Sequence, residues 1–384
     1  MSIYFDNAAT SDPKPPEVVE AVRRALTEHN ANPGRSGHRA ALEAAQIVLN
    51  AREGLRALMD AQSATQITFG LNCTDALNLA IKGSLCRGDH VISTMLEHNS
   101  VLRPLSALAA QGRIELTLLS PRPDGFVDPD DVRAALRPHT ALIAVTHASN
   151  VTGAIQPVAA IGQIARQAGV RYLIDGAQAL GALPVSVRAL KCDLYAFPGH
   201  KSLLGPQGTG GLYIRPGLAL RTLREGGTGT GSDSMLQPKE LPERYESGTV
   251  NLPGIAGLGA GCAYVSQRLS TILSHERELT SALYEGLMHT HGAIVYSPRE
   301  EAARAGIVSF NLGDLSSSQA ADAFARAEIA VRGGLHCAPG AHRFLGTMRR
   351  GAVRASVNYA NTFEEVEQFL RTAREVSVTS SYTG

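Results

Sequence analysis

The chain has 384 residues, a length that fits one large domain with a smaller companion. Hydrophobic residues make up 44% and charged residues 18%, and the net charge of +1 gives no electrostatic case for nucleic acid or an anionic membrane as the main partner. No apolar run reaches the roughly 18 residues of a membrane span. The chain begins with a strand-like segment at 3–6, so we expect no signal peptide and a cytoplasmic protein.

Strand and helix patterns alternate through the first two-thirds of the chain. The predicted elements are, in chain order, helix 41–59, strand 66–69, helix 74–82, strand 90–94, helix 100–110, strand 114–119, helix 128–136, strand 141–146, helix 159–168, strand 171–174 and strand 193–197. Unbroken apolar runs such as 141–145 indicate strands covered on both faces, and their alternation with helices predicts an α/β domain with a mainly parallel sheet. Ligands of such sheets bind beyond the carboxyl ends of the strands.

The last third begins with a loop at 225–257 that is rich in glycine and proline, and such long loops are more often functional than idle. The elements predicted after it are helices 256–268 and 274–288, strand 307–310, helix 318–327, strands 329–332 and 352–357, and helix 362–376. We therefore predict an N-terminal arm at 1–14, a large domain at 15–265, a smaller C-terminal α+β domain at 266–376 and a disordered polar tail at 377–384.

A lysine and an acid stand at the ends of two apolar strands. Lys201 follows strand 193–197, and Asp175 follows strand 171–174. Burial there favours the neutral amine, which forms Schiff bases with carbonyl compounds. Each residue alone is equally well explained as a surface lysine or a buried structural acid. Together they predict a pyridoxal phosphate site, which needs a lysine for the aldehyde and an acid for the pyridinium nitrogen.

The turn at 72–74 opens a predicted helix and is a candidate phosphate site, because free N–H groups at a helix N-terminus attract anions. That Asn72 or Thr74 only caps the helix is an equally open alternative. Cys73 lies in the same turn, and we predict that it contacts the coenzyme. Further polar side chains after strand ends or beside the lysine are candidates for stacking on the coenzyme ring, bonding its phenolic oxygen or holding its phosphate: His98, Asn150, Gln178 and His200.

Seven short motifs occur in an order that resembles the class V aminotransferase superfamily, and within it the cysteine desulfurase and selenocysteine lyase branch. The motifs are DNAA at 6–9, NCTDA at 72–76, EHN at 97–99, SNVTG at 149–153, DGAQ at 175–178, GHK at 199–201 and RAS at 354–356. The resemblance runs from residue 4 to about residue 370. It implies a fold-type I pyridoxal-phosphate-dependent transferase, a homodimer, and a coenzyme at the subunit interface.

Position by position, the resemblance implies roles on the coenzyme ring. Lys201 is the Schiff-base lysine, Asp175 is the partner of the pyridine nitrogen, His98 stacks on the ring and is a further proton carrier, and Gln178 bonds the phenolic oxygen.

The resemblance also implies phosphate contacts from Thr74 and His200, with Gly248 and Thr249 reaching the phosphate from the other subunit. One position departs from the family pattern, because Pro198 stands where a phosphate-binding hydroxyl is usual.

Cys337 lies in a loop at 332–342 that is rich in glycine. Glycines permit unusual backbone angles, and two histidines with Arg332 and Arg343 are expected to favour the nucleophilic thiolate. The segment resembles the short active-site loop of the second desulfurase group, Arg-x-Gly-His-His-Cys-Ala, with Leu335 in place of the first histidine; this implies a cysteine close to the coenzyme. Five cysteines without a C-x-x-C pair argue against a disulfide framework and a zinc site, so no metal is expected.

Arg354 suits a substrate carboxylate, because its guanidinium fork matches two oxygens, and its apolar neighbours require it to have a partner. We place Ala8 and Asn150 beside the substrate as well. These residues and the resemblance predict a pyridoxal-phosphate-dependent cysteine desulfurase that forms L-alanine and a persulfide on Cys337, with Lys201 and His98 moving protons. The sulfur then passes to an acceptor protein or a small thiol.

Three alternatives stay open at this stage. The first is β-elimination from a cysteine conjugate, or amino transfer, on the same coenzyme in a biosynthetic pathway. The second is L-selenocysteine as the substrate in place of L-cysteine. The third, from another class, is a coenzyme-binding scaffold or regulator without turnover.

Overall fold

The computed structural model describes residues 3–34 and 37–381. The helices of these residues are α1 (Pro16–Thr27), α2 (Arg39–Leu58), α3 (Cys73–Ser84), α4 (Asn99–Ala110), α5 (Pro129–Ala134), α6 (Val158–Ala168), α7 (Leu252–Met288), α8 (Ser317–Arg326), α9 (Pro339–Phe344) and α10 (Phe363–Ser381). The strands are β1 (Ile3–Tyr4), β2 (Ile67–Gly70), β3 (Asp89–Thr94), β4 (Ile114–Leu119), β5 (Thr140–Thr146), β6 (Arg171–Asp175), β7 (Leu194–Pro198), β8 (Gly210–Ile214), β9 (Ala293–Val295), β10 (Ile307–Leu312), β11 (Ile329–Ala330), β12 (Arg332–Gly334) and β13 (Ala352–Ser356). Short 3-10 turns lie at Ala64–Gln66, Glu243–Tyr245 and Glu301–Ala303.

A seven-stranded sheet with the strand order β2-β8-β7-β6-β5-β3-β4 forms the centre of the fold. Its strands from β7 to β4 are parallel, and β8 runs antiparallel to both β2 and β7. The predicted α/β class with a mainly parallel sheet is confirmed. The parallel direction brings the carboxyl ends of β3, β5, β6 and β7 to one edge.

Alternate residues of the central strands pack into different cores, because side chains of a strand point to opposite faces in turn. In β6, Tyr172 and Ile174 join the core beneath α2, α6 and α7, whereas Leu173 joins the core beneath α3 and α4. Coverage on both faces explains why these strands are unbroken apolar runs.

A second, antiparallel sheet has the order β12-β13-β10-β9, and β1 pairs in parallel with β11 beside it. Its core contains four buried phenylalanines, Phe5, Phe310, Phe324 and Phe369, of which the last two stack with ring centroids 4.7 Å apart. Because Phe5 belongs to this core, the N-terminal segment is fixed against the C-terminal third of the chain. The domain boundaries themselves stay a prediction.

Several predicted elements differ from the structure. Helices 256–268 and 274–288 form one helix, α7, because neither glycine nor proline interrupts the chain between them and Val265 and Ile272, seven residues apart, are both buried. The helix begins at Leu252, inside the predicted loop, where Asn251 caps it and a proline occupies its first turn. The predicted strand 329–332 is two strands, β11 and β12, which belong to different sheets.

The prediction of a disordered tail is wrong for 377–381, which continue α10; residues 382–384 lie outside the described residues. The sequence patterns also missed α1 and β8. Over residues 3–34 and 37–381, the helices are too short or too polar to pass through a bilayer.

Candidate active site

A cavity of about 210 Å³ lies at the carboxyl ends of β5, β6 and β7. Ten of the predicted site residues line it, although they come from segments up to several hundred positions apart. They are Ala8, Cys73, Thr74, His98, Asn150, Asp175, Gln178, His200, Lys201 and Arg354. Three others do not line it, namely Cys337, Gly248 and Thr249. Arg332 and His336 of the predicted thiol loop do line it.

Lys201 and Asp175 line this cavity, with Asp175 at the end of β6 and Lys201 shortly after the neighbouring strand β7. Asp175 is the last residue of β6, and its Oδ1 accepts the Ala177 N–H at 3.0 Å and the Cys73 thiol at 3.6 Å. Burial raises the pKa of Asp175 and lowers the pKa of Lys201, so the site favours a lysine amine that can lose its proton. Glycine is required directly after the acid, because a Cβ at Gly176 would lie 2.0 Å from the ring of Tyr195.

The turn before α3 keeps a hydroxyl available at the cavity. Asn72 is the helix cap, since its Oδ1 accepts the Asp75 N–H at 2.9 Å, and the Thr74 hydroxyl lies 2.7 Å from Ser100 Oγ. The first N–H groups of a helix have no partner within the helix, so this turn can hold an anion.

His200 lines the same cavity, and its Nδ1 is buried without a partner among the described residues. Burial, followed by the charge of Lys201, lowers the pKa of His200 to about 4. An unpaired ring nitrogen and a helix N-terminus in one cavity fit a phosphate group, even though Pro198 lines the cavity where a hydroxyl was expected.

His98 caps α4, and its Nδ1 accepts the Ser100 N–H at 3.0 Å and lies 2.9 Å from Ser100 Oγ. Burial is the main reason that the pKa of His98 falls to about 4, with the charge of Lys201 adding to it. The ring is therefore neutral near pH 7 and carries its proton on Nε2. Ser100, which links His98 to Thr74, was missed because nothing in the sequence distinguishes it from any other residue in a first helical turn.

Two amide side chains tie other segments to the cavity. Gln178 Nε2 donates to the Ala8 carbonyl at 3.0 Å, and Asn150 Nδ2 donates to the His336 carbonyl at 2.6 Å. The first bond fixes the N-terminal segment, and the second fixes the loop that carries Cys337.

Arg354 is the most deeply buried charge of the cavity, with its side chain 2% exposed. Nη1 donates to the Asn150 carbonyl at 2.9 Å and Nη2 to Asp6 Oδ1 at 2.8 Å, while Nε is buried without a partner among the described residues. Asp6 is thus the counter-charge that the apolar neighbours of Arg354 require. Sequence reasoning did not find this pair, whose members are 348 positions apart.

Cys337 is exposed and directly follows His336, which lines the cavity. Burial lowers the pKa of His336 to about 3 and the pKa of His342 to about 4. Both rings are uncharged near neutral pH, so they add no positive charge beside the thiol. That the loop favours the thiolate stays a prediction. Arg332 remains as a cation that lines the cavity.

Gly248 and Thr249 line a separate cavity of about 80 Å³ together with Arg224 and Asn251. Their predicted role at the phosphate of a partner subunit stays a prediction.

Three comparisons relate the chain to known proteins. The aminotransferase class-V family model matches residues 3–369. A cysteine desulfurase of Klebsiella pneumoniae is 35% identical over 381 residues, covering 96% of this chain and 91% of that protein. The apo structure of a cysteine desulfurase from Thermococcus onnurineus NA1 has a TM-score of 0.93 at 35% identity and covers 98% of this chain and 95% of that chain. The cysteine desulfurase CsdA of Escherichia coli, in an S-sulfonic acid form, has a TM-score of 0.88 at 27% identity, covering 99% and 95%.

Proposed function

Because the chain belongs to the aminotransferase class-V family, whose fold-type I enzymes depend on pyridoxal phosphate, we propose that it is a cysteine desulfurase. It converts L-cysteine to L-alanine and takes up the sulfur as a persulfide on Cys337. One observation carries this proposal: a single cavity is lined by Lys201, Asp175 and Arg354, and the exposed Cys337 follows the lining residue His336.

The residues of the cavity fit pyridoxal phosphate. The N-terminus of α3 with Thr74, and the unpaired Nδ1 of His200, would hold the phosphate. Asp175 would pair with the pyridine nitrogen, and His98 and Gln178 would contact the ring. Bound there, the coenzyme supplies a sink for the electrons of the substrate carbon that bears the amino group.

The protein's own groups bind the substrate and move its protons. The Arg354 guanidinium binds the carboxylate of L-cysteine, with Ala8 and Asn150 beside it. Burial keeps the Lys201 amine able to accept the α-proton. His98 is neutral with its Nδ1 occupied by Ser100, so it can donate a hydrogen bond from Nε2 to the reacting groups.

The sulfur transfer is a displacement by the Cys337 thiolate. A sulfur–sulfur bond forms as the carbon–sulfur bond of the substrate breaks, and the electron pair of that bond stays with the substrate carbon. A proton completes this carbon to give L-alanine. The persulfide sulfur then passes to an acceptor protein or a small thiol.

The proposal also covers the cellular location, the oligomeric state and the domain division of the protein. The active form is a cytoplasmic homodimer in which Gly248 and Thr249 contact the phosphate bound by the partner subunit. The chain divides into a large domain at 15–265 and a small domain at 266–376.

The test is the product formed from L-cysteine by the coenzyme-loaded protein. We expect L-alanine, one added sulfur on the Cys337 peptide by mass spectrometry, and loss of alanine release in Cys337→Ser, because a hydroxyl is a weak nucleophile at neutral pH. Cys86→Ser, an exposed cysteine away from the cavity, is the matched control and should keep full activity. Some release of selenium from L-selenocysteine by Cys337→Ser is compatible with the proposal.

Pyruvate and ammonia as products, with Cys337→Ser as active as the wild type, would instead identify a C–S β-lyase of the same fold. Absence of turnover with any amino acid would leave a coenzyme-binding scaffold.

A further inference from the structure

The proposed sulfur acceptor sits in an unfavourable backbone turn. His336 and Cys337 have φ angles of 49° and 57°, in the left-handed region that residues other than glycine seldom adopt. Such a turn persists only where its surroundings hold it. Both carbonyl groups are held, because Asn150 Nδ2 donates to the His336 oxygen at 2.6 Å and the Asn99 N–H donates to the Cys337 oxygen at 2.7 Å.

The ring of His336 is held by a chain of hydrogen bonds that runs away from the cavity. Its Nε2 lies 3.1 Å from the Arg332 carbonyl oxygen, and its Nδ1 lies 3.3 Å from Nε2 of His342. Nδ1 of His342 in turn lies 2.7 Å from Oγ1 of Thr347. The two ring planes are inclined by 25° with their centroids 5.4 Å apart, as in an edge-to-edge hydrogen bond, and the side chains of His336, His342 and Thr347 are all buried.

Only one arrangement of protons satisfies these contacts. A carbonyl oxygen can only accept, so Nε2 of His336 carries a proton and donates to Arg332. Burial keeps both rings neutral, with one proton each, so Nδ1 of His336 accepts from Nε2–H of His342. Nδ1 of His342 then accepts from the hydroxyl of Thr347, which lies 2.7 Å from this nitrogen and 3.5 Å from the His342 carbonyl oxygen.

The far end of this hydrogen-bond chain lies in a helix that packs closely against the large sheet. His342 lies in α9, and a Cβ at Gly340 in the first turn of that helix would lie 2.3 Å from the carbonyl oxygen of Met95, directly after β3. The helix is therefore seated closely against the end of the large sheet, and it can fix the position of the His336 ring.

We propose that His342 and Thr347 are positioning residues for Cys337: they fix the ring of His336, which lines the cavity, and the fixed ring keeps the adjoining Cys337 in its left-handed turn. The proposal rests on the proposed function of Cys337 and deepens it by naming two residues that do not line the cavity.

The decisive variants are His342→Leu and His342→Gln in the coenzyme-loaded enzyme. Leucine cannot donate to Nδ1 of His336, whereas the glutamine amide can. We expect kcat for alanine release to fall at least tenfold in the leucine variant and to stay within threefold of wild type in the glutamine variant. KM for L-cysteine and the absorbance of the bound coenzyme should change less than twofold in both. Thr347→Val, which removes only the last donor, should give a smaller fall than leucine.

Two readouts do not depend on turnover. In long-range ¹H–¹⁵N spectra, both His336 and His342 should be neutral Nε2–H tautomers at pH 6.5. The rate of Cys337 alkylation by iodoacetamide, measured in a Cys86→Ser background, should change at least fivefold in His342→Leu and less than twofold in His342→Gln.

Equal kcat and alkylation rates in the leucine and glutamine variants, or an Nδ1–H tautomer at either ring, would overturn the positioning role. If the wild type releases no alanine, the proposed function fails, and the spectra and alkylation rates still decide this inference. If His342→Leu does not fold, the comparison of Thr347→Val with wild type takes its place.

Discussion

Replacement of Arg354 by lysine tests the substrate-carboxylate site most directly. The guanidinium is held from two sides, with Nη1 on the Asn150 carbonyl and Nη2 on Asp6. A lysine ammonium is a single point that can keep the contact with Asp6 but cannot offer two parallel donors to a carboxylate.

The expected loss follows from the contacts removed. One hydrogen bond to a charged group contributes about 1.5–3 kcal/mol, and each 1.4 kcal/mol corresponds to about tenfold in binding. KM for L-cysteine in Arg354→Lys should therefore rise roughly 10- to 100-fold, while kcat falls much less. The Asn150 carbonyl loses its donor, so the free energy of unfolding should also fall, by about 1–3 kcal/mol.

The assay is alanine release over a range of L-cysteine concentrations, beside a titration of the coenzyme absorbance. Coenzyme affinity should be unchanged, since Arg354 is not among the residues proposed to hold it. The matched control is Arg326→Lys, an exposed arginine at the end of α8, for which KM should not change. An unchanged KM in Arg354→Lys would refute the assignment, and Arg332 would then be the next candidate.

Two further changes test the rest of the site, and a third tests the protonation of the buried Glu97 carboxyl. Lys201→Ala should abolish turnover and the borohydride-stable link to the coenzyme; fixation to another lysine would contradict the assignment. Asp175→Asn should lower kcat far more than coenzyme affinity, and near-normal turnover would show that the acid acts elsewhere. Burial raises the pKa of Glu97 from 4.5 to about 8, so its carboxyl ionises in the unfolded chain before it does so in the folded one, and stability falls as pH rises between these values. The free energy of unfolding of Glu97→Gln should fall less between pH 5 and pH 8 than that of the wild type. Equal falls in the two proteins would contradict a protonated Glu97 carboxyl.

The residues of the cavity could be predicted from the sequence where they lie at or just after the end of a strand. Asp175 ends β6 and Lys201 follows β7, its neighbour in the parallel sheet, so one topological rule places both at one edge. The same rule brings His98 and Asn150 to the cavity. The boundaries of α7 were harder to predict, because Pro253 reads as a loop residue but lies in the first turn of a helix.

The parts that could not be predicted depend on contacts between distant segments or on burial. Asp6 meets Arg354 only because β1 lies beside the C-terminal sheet, and a pairing over 348 positions leaves no local pattern. In the sequence, the two histidines near Cys337 suggest a positively charged environment for the thiol, yet burial removes their charge. The two rings can form their hydrogen-bond chain because they are neutral. Composition and spacing in the sequence do not show that they are neutral.

Asn150 connects the two halves of the proposed reaction. Its carbonyl accepts from the arginine that would bind the substrate carboxylate, and its side chain holds the carbonyl of the residue before the thiol. Asn150 is therefore one link that relates the position of the carboxylate receptor to that of the sulfur acceptor. Two others are the pairing of Arg332 with Arg354 between β12 and β13 and the bond from the Asn99 N–H to the Cys337 carbonyl. The Asn150 bond holds the residue directly before the exposed Cys337, so it restrains the loop next to the cavity. Within this arrangement His336 receives support from both sides, from Asn150 on its backbone and from His342 on its ring.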